Sequence, residues 1–370
     1  MVERPLGPAT QSVHAGLPEP RQGEPFLPGP TFAAPFHVSG DPEGVEYVYG
    51  RYGNPTWAHY EKALGELEDA EAVLFGSGMA AVAAVLLPAL GPGDVLVAPS
   101  DCYLGTRSLI DTHLAELGVD VRYAPTGTRD LGDALAGASL LWLETPSNPG
   151  LEVCDIAALA EAAHAEGTAV AVDNTLATPL GQRPLELGAD WSVTSDSKLM
   201  TGHSDLILGH VATRDRERAG ELRAWRTRAG SVAGPFEAWL AHRSLATLAL
   251  RLERTCGNAL ALARMLAGRV DVTDVRYPGL EGDPAHRLAA AQMDCFGPVL
   301  SFTLESRERA ERFLGECRLV AESTSFGGLH TTAERRARWG DPVPEGFIRL
   351  SAGCEDPADL LADVDAALAA

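Results

Sequence analysis

The chain has 370 residues, of which 45% are hydrophobic, and a formal net charge of −21. Because a single hydrophobic core stops growing at about 250–300 residues, this length predicts two domains. The acidic charge argues against a nucleic-acid partner and against an anionic membrane surface, since both are bound through basic patches.

Residues 1–57 are rich in proline and glycine and show little periodic pattern, which predicts an extended arm rather than a domain. Such an arm must lie against its own domain or against a neighbouring subunit. Thr56 is a suitable N-cap for a helix over 57–67. The segment before Gln11 has no apolar run typical of a secretory signal, and no uncharged apolar run later in the chain approaches membrane-spanning length.

From residue 72 onward, short apolar strands alternate with helices. Continuously apolar strands in this arrangement are typical of a parallel sheet covered by helices on both faces. We therefore predict an α/β domain over 58–234. Its predicted strands are 72–75, 95–98, 121–123, 140–143, 169–172 and 191–194 with a candidate seventh at 209–213, and its helices include 79–90, 106–117 and 156–166.

The pattern changes after about residue 230. A long helix over 235–267 with leucines on apolar faces is followed by strands over 272–277, 299–304 and 347–351 and by a closing helix over 357–369. This mixture predicts a smaller α+β domain over 235–370.

Six cysteines are spread along the chain, and none forms a C-x-x-C pair or a cluster with zinc-ligand spacing. In a chain of this size they are expected to be reduced thiols, which predicts a cytoplasmic protein without a bound metal.

Polar residues follow the ends of several predicted strands. In an open parallel sheet, ligands bind beyond the carboxyl ends of the strands. The spacing therefore allows one cluster of functional groups at one sheet edge. The residues at these strand ends are Ser77, Gly78, Tyr103, Glu144, Asn148, Asp173, Ser195, Ser197 and Lys198.

The segment Gly76-Ser77-Gly78-Met79-Ala80-Ala81 fits the G-x-G-x-x-A pattern of dinucleotide-binding sites. A helix N-terminus with small residues, however, offers free N–H groups to any phosphate. Close packing of helix against strand would also explain the glycines. The segment alone leaves open an NAD-type oxidoreductase, another phosphate ligand or a structural role.

Lys198 is one of only two lysines in the chain. Arginine cannot replace lysine as a nucleophile because its guanidinium stays protonated, whereas a neutral amine can form a Schiff base. A solvated surface lysine is the ordinary alternative. Asp173 ends an apolar strand, where a buried carboxylate is costly unless it is paired. It is expected either to accept a structural hydrogen bond or to hold a protonated ring nitrogen.

Together these groups predict a site for pyridoxal 5′-phosphate. Lys198 would form the Schiff base, Tyr103 would stack on the ring, and the helix start with its serines would hold the phosphate. Asp173 would keep the pyridine nitrogen protonated. Two charges about 4 Å apart interact by about 4 kcal/mol at an effective dielectric near 20, which corresponds to about three pKa units before desolvation.

Longer motifs resemble the Cys/Met-metabolism (trans-sulfuration) branch of the fold type I pyridoxal phosphate enzymes, which includes cystathionine γ-lyase, cystathionine γ-synthase and methionine γ-lyase. The resemblance covers nearly the whole chain and implies an aspartate-aminotransferase-like fold with a mostly parallel seven-stranded sheet. It is carried by Val13–Gly16, Tyr49–Thr56, Ser77–Ala80, Glu144–Pro149, Val172–Thr175, Ser195–Lys198 with Gly202–Asp205, Ala321–Ser323 and Arg349–Glu355.

The resemblance also implies roles for individual residues. Lys198 and Tyr103 would be catalytic, with the phenol moving a proton at the amine or the leaving group. Arg349 would bind the substrate α-carboxylate, a task suited to guanidinium geometry. Asn148 would contact the cofactor O3′ or the substrate. The phosphate would be held by Ser77, Gly78, Met79, Ser195 and Ser197, helped by Tyr49 and Arg51 of an adjacent subunit in a homotetramer built as a dimer of dimers with shared active sites.

Two positions indicate which small sulfur amino acid is the substrate. Gly105 stands where methionine γ-lyases carry cysteine, and Glu322 precedes Ser323 as in enzymes that act on cystathionine, where it would bind the distal ammonium. Both favour α,γ-elimination of L-cystathionine to L-cysteine, 2-oxobutanoate and ammonia. Arg107, one place earlier than usual, and the long loop 323–330 leave open a γ-synthase, a methionine or homocysteine γ-lyase or a specialised γ-substitution enzyme. Trp339, in an arginine-rich turn, is assigned to packing.

Overall fold

The structure is a computed structural model that describes residues 6–370. The first five residues of the predicted arm, which also begin the segment considered for a secretory signal, lie outside the described residues. Among the helices of residues 6–370, none has both the length and the apolar character needed to cross a membrane.

The larger sheet contains the seven strands β1 (Glu71–Phe75), β2 (Val95–Pro99), β3 (Asp120–Ala124), β4 (Leu140–Glu144), β5 (Ala169–Asp173), β6 (Trp191–Thr194) and β7 (Gly209–Thr213). Their spatial order is β1-β7-β6-β5-β4-β2-β3. β7 pairs antiparallel with β1 and β6, and the remaining neighbours pair in parallel. This confirms the predicted α/β class with its mostly parallel seven-stranded sheet.

Helices pack on both faces of this sheet. Val73 and Phe75 of β1 belong to one hydrophobic core, and Leu74 between them belongs to another, as expected for a strand buried on both sides. A π-helical turn, Ile110–Leu114, joins two of the helices. The helices are α1 (Pro8–His14), α2 (Pro55–Glu68), α3 (Gly78–Ala89), α4 (Leu104–Leu109), α5 (Ala115–Leu117), α6 (Ile156–Ala165), α7 (Thr178–Gly181) and α8 (Arg216–Ala229).

The N-cap predicted at Thr56 is wrong by two residues. α2 begins at Pro55, and the side chain of Asn54 accepts a hydrogen bond from the Thr56 N–H at 2.9 Å. Proline is well suited to the first helical position because its missing N–H would have no partner there. The Thr56 hydroxyl instead accepts from the Thr31 N–H at 2.9 Å, which fixes the arm to the start of the helix.

A second sheet follows, with spatial order β10-β11-β12-β9-β8. Its strands are β8 (Thr273–Arg276), β9 (Val299–Thr303), β10 (Ala321–Glu322), β11 (Thr332–Arg335) and β12 (Phe347–Ser351). The helices of this part of the chain are α9 (Pro235–Leu245), α10 (Leu248–Ala267), α11 (His286–Gln292), α12 (Arg307–Glu316) and α13 (Pro357–Ala369).

The long helix predicted over 235–267 is divided between α9 and α10. The Ser244 carbonyl accepts from the Thr247 N–H at 3.2 Å and from the Arg251 guanidinium at 3.0 Å, so it does not continue the helical pattern to residue 248. Arg251 also donates to the Leu199 carbonyl at 2.6 Å, which joins the start of α10 to the lysine-bearing segment. The early part of α10, with Leu252, packs in the same hydrophobic core as α2, whereas its later part packs against the second sheet.

Two strands of the second sheet were not predicted. β10 has only two residues, and β11 reads Thr-Ala-Glu-Arg, which lacks an apolar pattern. Glu334 in β11 is nevertheless 0% exposed. Its carboxylate pairs with the nearby Arg336 and Arg338 and with the distant Arg349, and a local sequence pattern does not show the pairing with Arg349.

Candidate active site

A cavity of about 370 Å³ lies beyond the carboxyl ends of β2, β4, β5 and β6. It brings together all of the residues predicted at the strand ends and adds Arg349 from β12. The predicted residues that line it are Ser77, Gly78, Met79, Tyr103, Glu144, Asn148, Asp173, Ser195, Ser197, Lys198 and Arg349.

The Lys198 amine donates a hydrogen bond to the Ser325 hydroxyl at 2.7 Å and lies 5.2 Å from the centre of the Phe326 ring. Burial lowers the pKa of Lys198, and the positive charge of Arg349 lowers it further. Both effects make the neutral amine, which is the nucleophilic form, easier to reach. Ser325 was not singled out from the sequence, which pointed to Ser323 in the same loop.

Asp173 ends β5 on the cavity wall. Its Oδ1 accepts from the Thr175 N–H at 3.0 Å and from the Thr175 hydroxyl at 2.6 Å, and no described residue donates to Oδ2. Burial raises the pKa of Asp173; it also raises that of Glu144, its neighbour in the sheet, where the charge of Asp173 adds to the effect. A protonated ring nitrogen at Oδ2 would supply the missing donor and positive charge, so the site fits a pyridine cofactor.

The start of α3 has the features of a phosphate site. Ser77 is the N-cap and accepts from the Ala80 N–H at 3.0 Å. A Cβ atom on Gly78 would come within 2.6 Å of the Ser195 hydroxyl, so glycine allows the helix start and Ser195 to meet. The Ser195 hydroxyl donates to no described residue and can reach a ligand. Ser197 differs, because its hydroxyl donates to the Leu208 carbonyl at 3.1 Å and accepts from the Leu208 N–H at 3.0 Å.

Arg349 is held by a buried group of polar side chains. Its Nη1 donates to Asn148 Oδ1 at 2.9 Å, and its Nη2 donates to the Ser325 carbonyl at 2.8 Å and to Glu334 Oε1 at 2.5 Å. Burial lowers the pKa of Arg349 to about 10, and the neighbouring charge of Arg336 acts in the same direction. The guanidinium still stays protonated at neutral pH and can bind a carboxylate.

Glu334 is the residue of this group that sequence reasoning missed. Its carboxylate accepts from Arg336 at 2.8 Å and from the Trp339 indole at 2.7 Å, in addition to Arg349. Trp339 was assigned only to packing, and this hydrogen bond corrects that assignment. The run Glu334-Arg335-Arg336-Ala337-Arg338-Trp339 was the available signal, because one carboxylate followed by three arginines and an aromatic residue suggests an ionic cluster.

Tyr103 lines the cavity with 44% of its surface exposed, and its backbone N–H donates to Glu144 at 2.7 Å. A Cβ on Gly105 would lie 2.5 Å from a Tyr103 ring carbon. A side chain at residue 105 therefore requires the Tyr103 ring to move from this position.

Four predicted site residues do not line this cavity. Glu322 pairs with Arg338 outside it. Ser323 lines an adjoining cavity of about 300 Å³, which Lys198 also borders. Tyr49 is 42% exposed, and Arg51 donates to the Thr227 carbonyl at 3.0 Å, so both arm residues lie apart from the cavity of their own chain.

The Lys198 amine can reach its neutral form in the same cavity where Asp173 Oδ2 lacks a donor among the described residues, which is the pairing that a pyridoxal phosphate-dependent enzyme requires. The sequence model of the family described as "Cys/Met metabolism PLP-dependent enzyme" matches residues 9–369 of the chain. The chain belongs to this family. Membership decides against the dinucleotide-binding interpretation of Gly76–Ala81.

Individual relatives agree with this assignment. A Streptomyces coelicolor protein named "Putative cystathionine gamma-lyase" is 57% identical over 368 residues, covering 98% of this chain and 93% of that protein. Cystathionine gamma-synthase of Mycobacterium tuberculosis is 42% identical over 381 residues, covering 98% and 97%. The crystal structure of cystathionine gamma synthase from Xanthomonas oryzae pv. oryzae in complex with cystathionine has a TM-score of 0.94 at 36% identity, covering 99% and 98%. The fold is therefore the fold type I fold that the sequence motifs implied.

Proposed function

We propose that this chain catalyses the pyridoxal phosphate-dependent α,γ-elimination of L-cystathionine to L-cysteine, 2-oxobutanoate and ammonia, with uptake of one water. The observation that carries the proposal is the single cavity that holds Lys198, Asp173 and Arg349, a nucleophilic amine, a ring-nitrogen partner and a carboxylate-binding fork. The choice among reactions of the family is supported by the 57% identity to the Streptomyces coelicolor protein and by the glycine at position 105, where the sequence resemblance places a cysteine in methionine γ-lyases.

The residues proposed to hold the cofactor fall into two groups, those that contact its ring and those that bind its phosphate. Asp173 would bind the ring nitrogen, Tyr103 would pack on the ring, and Asn148 would contact O3′ or the substrate carboxylate. When bound, the cofactor supplies an aldehyde for the Lys198 amine and a protonated ring that withdraws electrons from the substrate. The proposed phosphate ligands are Ser77, Gly78, Met79 and Ser195, with Tyr49 and Arg51 from the partner subunit. Ser197, also predicted from the sequence, would join them only by turning its hydroxyl away from the Leu208 carbonyl.

The chain's own groups then bind the substrate and move its protons. Arg349 and Asn148 hold the α-carboxylate and orient the Cα–H bond towards Lys198. The lysine amine takes the proton from Cα and next acts at Cβ, and burial favours its neutral form at each step. Tyr103 gives a proton to the sulfur as the Cγ–S bond breaks. Ser323 borders the adjoining cavity and is proposed to line the path of the substrate, whereas Glu322 lies outside both cavities.

A γ-replacement reaction that forms cystathionine is the second candidate. It is favoured by the mycobacterial cystathionine gamma-synthases at 42% identity. Methionine γ-elimination has a relative at 36% identity, the L-methionine gamma-lyase of Pseudomonas deceptionensis. Homocysteine elimination and a specialised γ-substitution use the same groups in the same cavity.

We also propose that the protein is a cytoplasmic homotetramer built from dimers with shared active sites. The placement of Tyr49 and Arg51 away from the cavity of their own chain supports sharing. The arm also exposes large apolar side chains, with Phe26 89% and Phe32 72% exposed, which a neighbouring subunit would cover. The six free cysteines agree with a reducing compartment.

The reaction is tested by incubating the purified enzyme with cystathionine, with methionine, and with O-succinylhomoserine plus cysteine. We expect 2-oxobutanoate to form fastest from cystathionine. Cystathionine synthesis without cystathionine cleavage would assign the chain to γ-replacement instead. Methionine cleavage without turnover of cystathionine would assign it to methionine γ-elimination.

A further inference from the structure

The cavity wall contains a second guanidinium group besides that of Arg349. Arg336 lines the cavity although the residue is only 6% exposed. Its Nε donates to Asp341 at 2.6 Å and its Nη1 donates to Glu334 at 2.8 Å. These two acceptors fix the orientation of the guanidinium, and Nη2 donates to no residue in the range 6–370. An arginine held in this way presents prepared donors to a ligand in the cavity.

The two guanidinium groups are parts of one buried assembly. Glu334 Oε1 accepts hydrogen bonds from both Arg336 and Arg349. Glu334 and Asp341 balance the charges of the two arginines, which lowers the cost of keeping both at a buried wall. The pairing uses some of their N–H groups and leaves others for a ligand. Because the shared carboxylate joins the arginines, two anionic groups of one small molecule could be bound together.

Arg107, the other arginine considered from the sequence, does not offer such a group to this cavity. Its Nε donates to Asp111 at 3.0 Å and its Nη1 donates to the Ser100 carbonyl at 2.8 Å. The guanidinium lies 3.8 Å from the centre of the Tyr123 ring. Arg107 is also absent from the residues that line the cavity.

We propose that Arg336 binds a second carboxylate of the substrate, so that the site selects amino acids with two carboxylates over those with one. This inference rests on the proposed function only in placing the α-carboxylate at Arg349. Cystathionine has the required distal carboxylate, and methionine and homocysteine lack it. Arg336 is therefore a specificity-determining residue, and its charge favours elimination from a diacid over elimination from a simple thioether.

The test measures binding to the holoenzyme of amino acids that have no γ-leaving group. L-norleucine carries one carboxylate, whereas L-glutamate, L-2-aminoadipate and L-2-aminopimelate carry a second at increasing distance. Isothermal titration calorimetry gives the Kd of each ligand. We expect at least one diacid to bind about tenfold or more tightly than norleucine, since charge-assisted hydrogen bonds have this order of effect.

The Arg336→Gln variant is expected to lose the preference for the diacid while its Kd for norleucine changes less than about threefold. Arg336→Lys, which retains the charge without the planar fork, should keep part of the preference. Arg338→Gln is the matched control, because Arg338 also donates to Glu334 but does not line the cavity, and it should keep the full preference. Norleucine binding by each variant shows that the site has folded.

Two results would overturn the inference. One is a wild-type protein that binds none of the diacids more tightly than norleucine. The other is an Arg336→Gln variant in which norleucine and the diacid weaken equally, which would mean that Arg336 acts only through Glu334 on Arg349. Failure of the proposed reaction is separate, because an enzyme that does not cleave cystathionine would still show the diacid preference.

Discussion

Two buried ionic networks lie near Lys198, and they differ in what they face. The closed network, formed by Glu68, His210 and Asp196, is fully buried between α2 and the sheet and does not line the cavity. The open network, formed by Arg349, Glu334, Arg336 and Asp341, lines the cavity with both Arg349 and Arg336. Buried ion pairs therefore have two roles here. One network fixes the segment that carries the lysine, and the other orients N–H donors towards a ligand.

The hydrogen bonds of the closed network are made mainly among its own members, and Glu68 Oε2 has no donor among residues 6–370. His210 Nδ1 lies 2.6 Å from Asp196 and Nε2 lies 3.3 Å from Glu68, while Tyr60 donates to Asp196 at 3.2 Å. Asp196 is two residues before Lys198, and its carbonyl accepts from the Thr201 hydroxyl at 2.8 Å. The turn that carries the lysine is thereby tied to β7 and α2.

Both networks lie near the Lys198 amine, and removing that amine is expected to lower activity more than any other change. Lys198→Ala should lower kcat for cystathionine by more than about 10³-fold, because it removes both the Schiff-base amine and the proton carrier. The yellow chromophore of the wild-type protein, bleached by borohydride, should also be lost. A colourless wild-type enzyme with full activity would contradict this role.

The second test removes the charge of Glu334, the carboxylate at the centre of the open network. Glu334→Gln should cost about 3 kcal/mol of unfolding free energy, because it leaves buried guanidinium groups without their carboxylate. KM for cystathionine should rise about tenfold or more as Arg349 loses its fixed position. Urea unfolding and steady-state kinetics measure the two effects.

The control for this variant is Glu322→Gln, which breaks the partly exposed pair with Arg338. It should change stability by less than about 1 kcal/mol. Equal losses in the two variants would remove the distinction between the buried and exposed carboxylates.

The closed network predicts a dependence of stability on pH. Burial lowers the pKa of His210, but Asp196 and Glu68 more than offset this and raise it to about 10. In the unfolded chain the pKa is about 6.5, so the stabilising contribution is complete below that pH and is lost as pH rises through about 10. Its size is on the order of a few kcal/mol.

Urea unfolding of wild-type protein and His210→Gln between pH 6 and pH 10 measures this contribution. Because other groups titrate in both proteins, the informative quantity is the difference between their unfolding free energies. That difference should shrink as pH rises. A difference that stays constant over the range would show that His210 is not charged in the folded protein.

The sequence was sufficient for much of the fold because the signal of the first sheet is local. Apolar strands such as 140–143 and 169–172 agree closely with β4 and β5. Their ends then bring Asp173 and Lys198 to one edge by the geometry of a parallel sheet alone.

What the sequence did not reveal depends on contacts between distant segments. The break between α9 and α10 depends on Arg251, and the burial of Glu334 depends on Arg349 across the register of β11 and β12. The pairing of Asp196 with His210 likewise joins separate strands. Within loop 323–330, position alone did not show that Ser325 contacts the lysine amine.

Two glycines, one beside the Tyr103 ring in the cavity and one beside His210 of the closed network, are expected to differ in the cost of an added methyl group. At Gly105, on the open side, an added Cβ would meet the Tyr103 ring at 2.5 Å, and that ring is partly exposed and can turn. At Gly209, beside His210, an added Cβ would meet the backbone of Ser77 and Gly78 at 2.7 Å, which has no such freedom. Gly105→Ala should therefore change the unfolding free energy by less than about 1 kcal/mol, while Gly209→Ala should lower it by about 1–3 kcal/mol. Thermal unfolding of both variants with cofactor bound measures the difference, and a larger loss in Gly105→Ala would mean that the Tyr103 ring is as firmly fixed as the helix start.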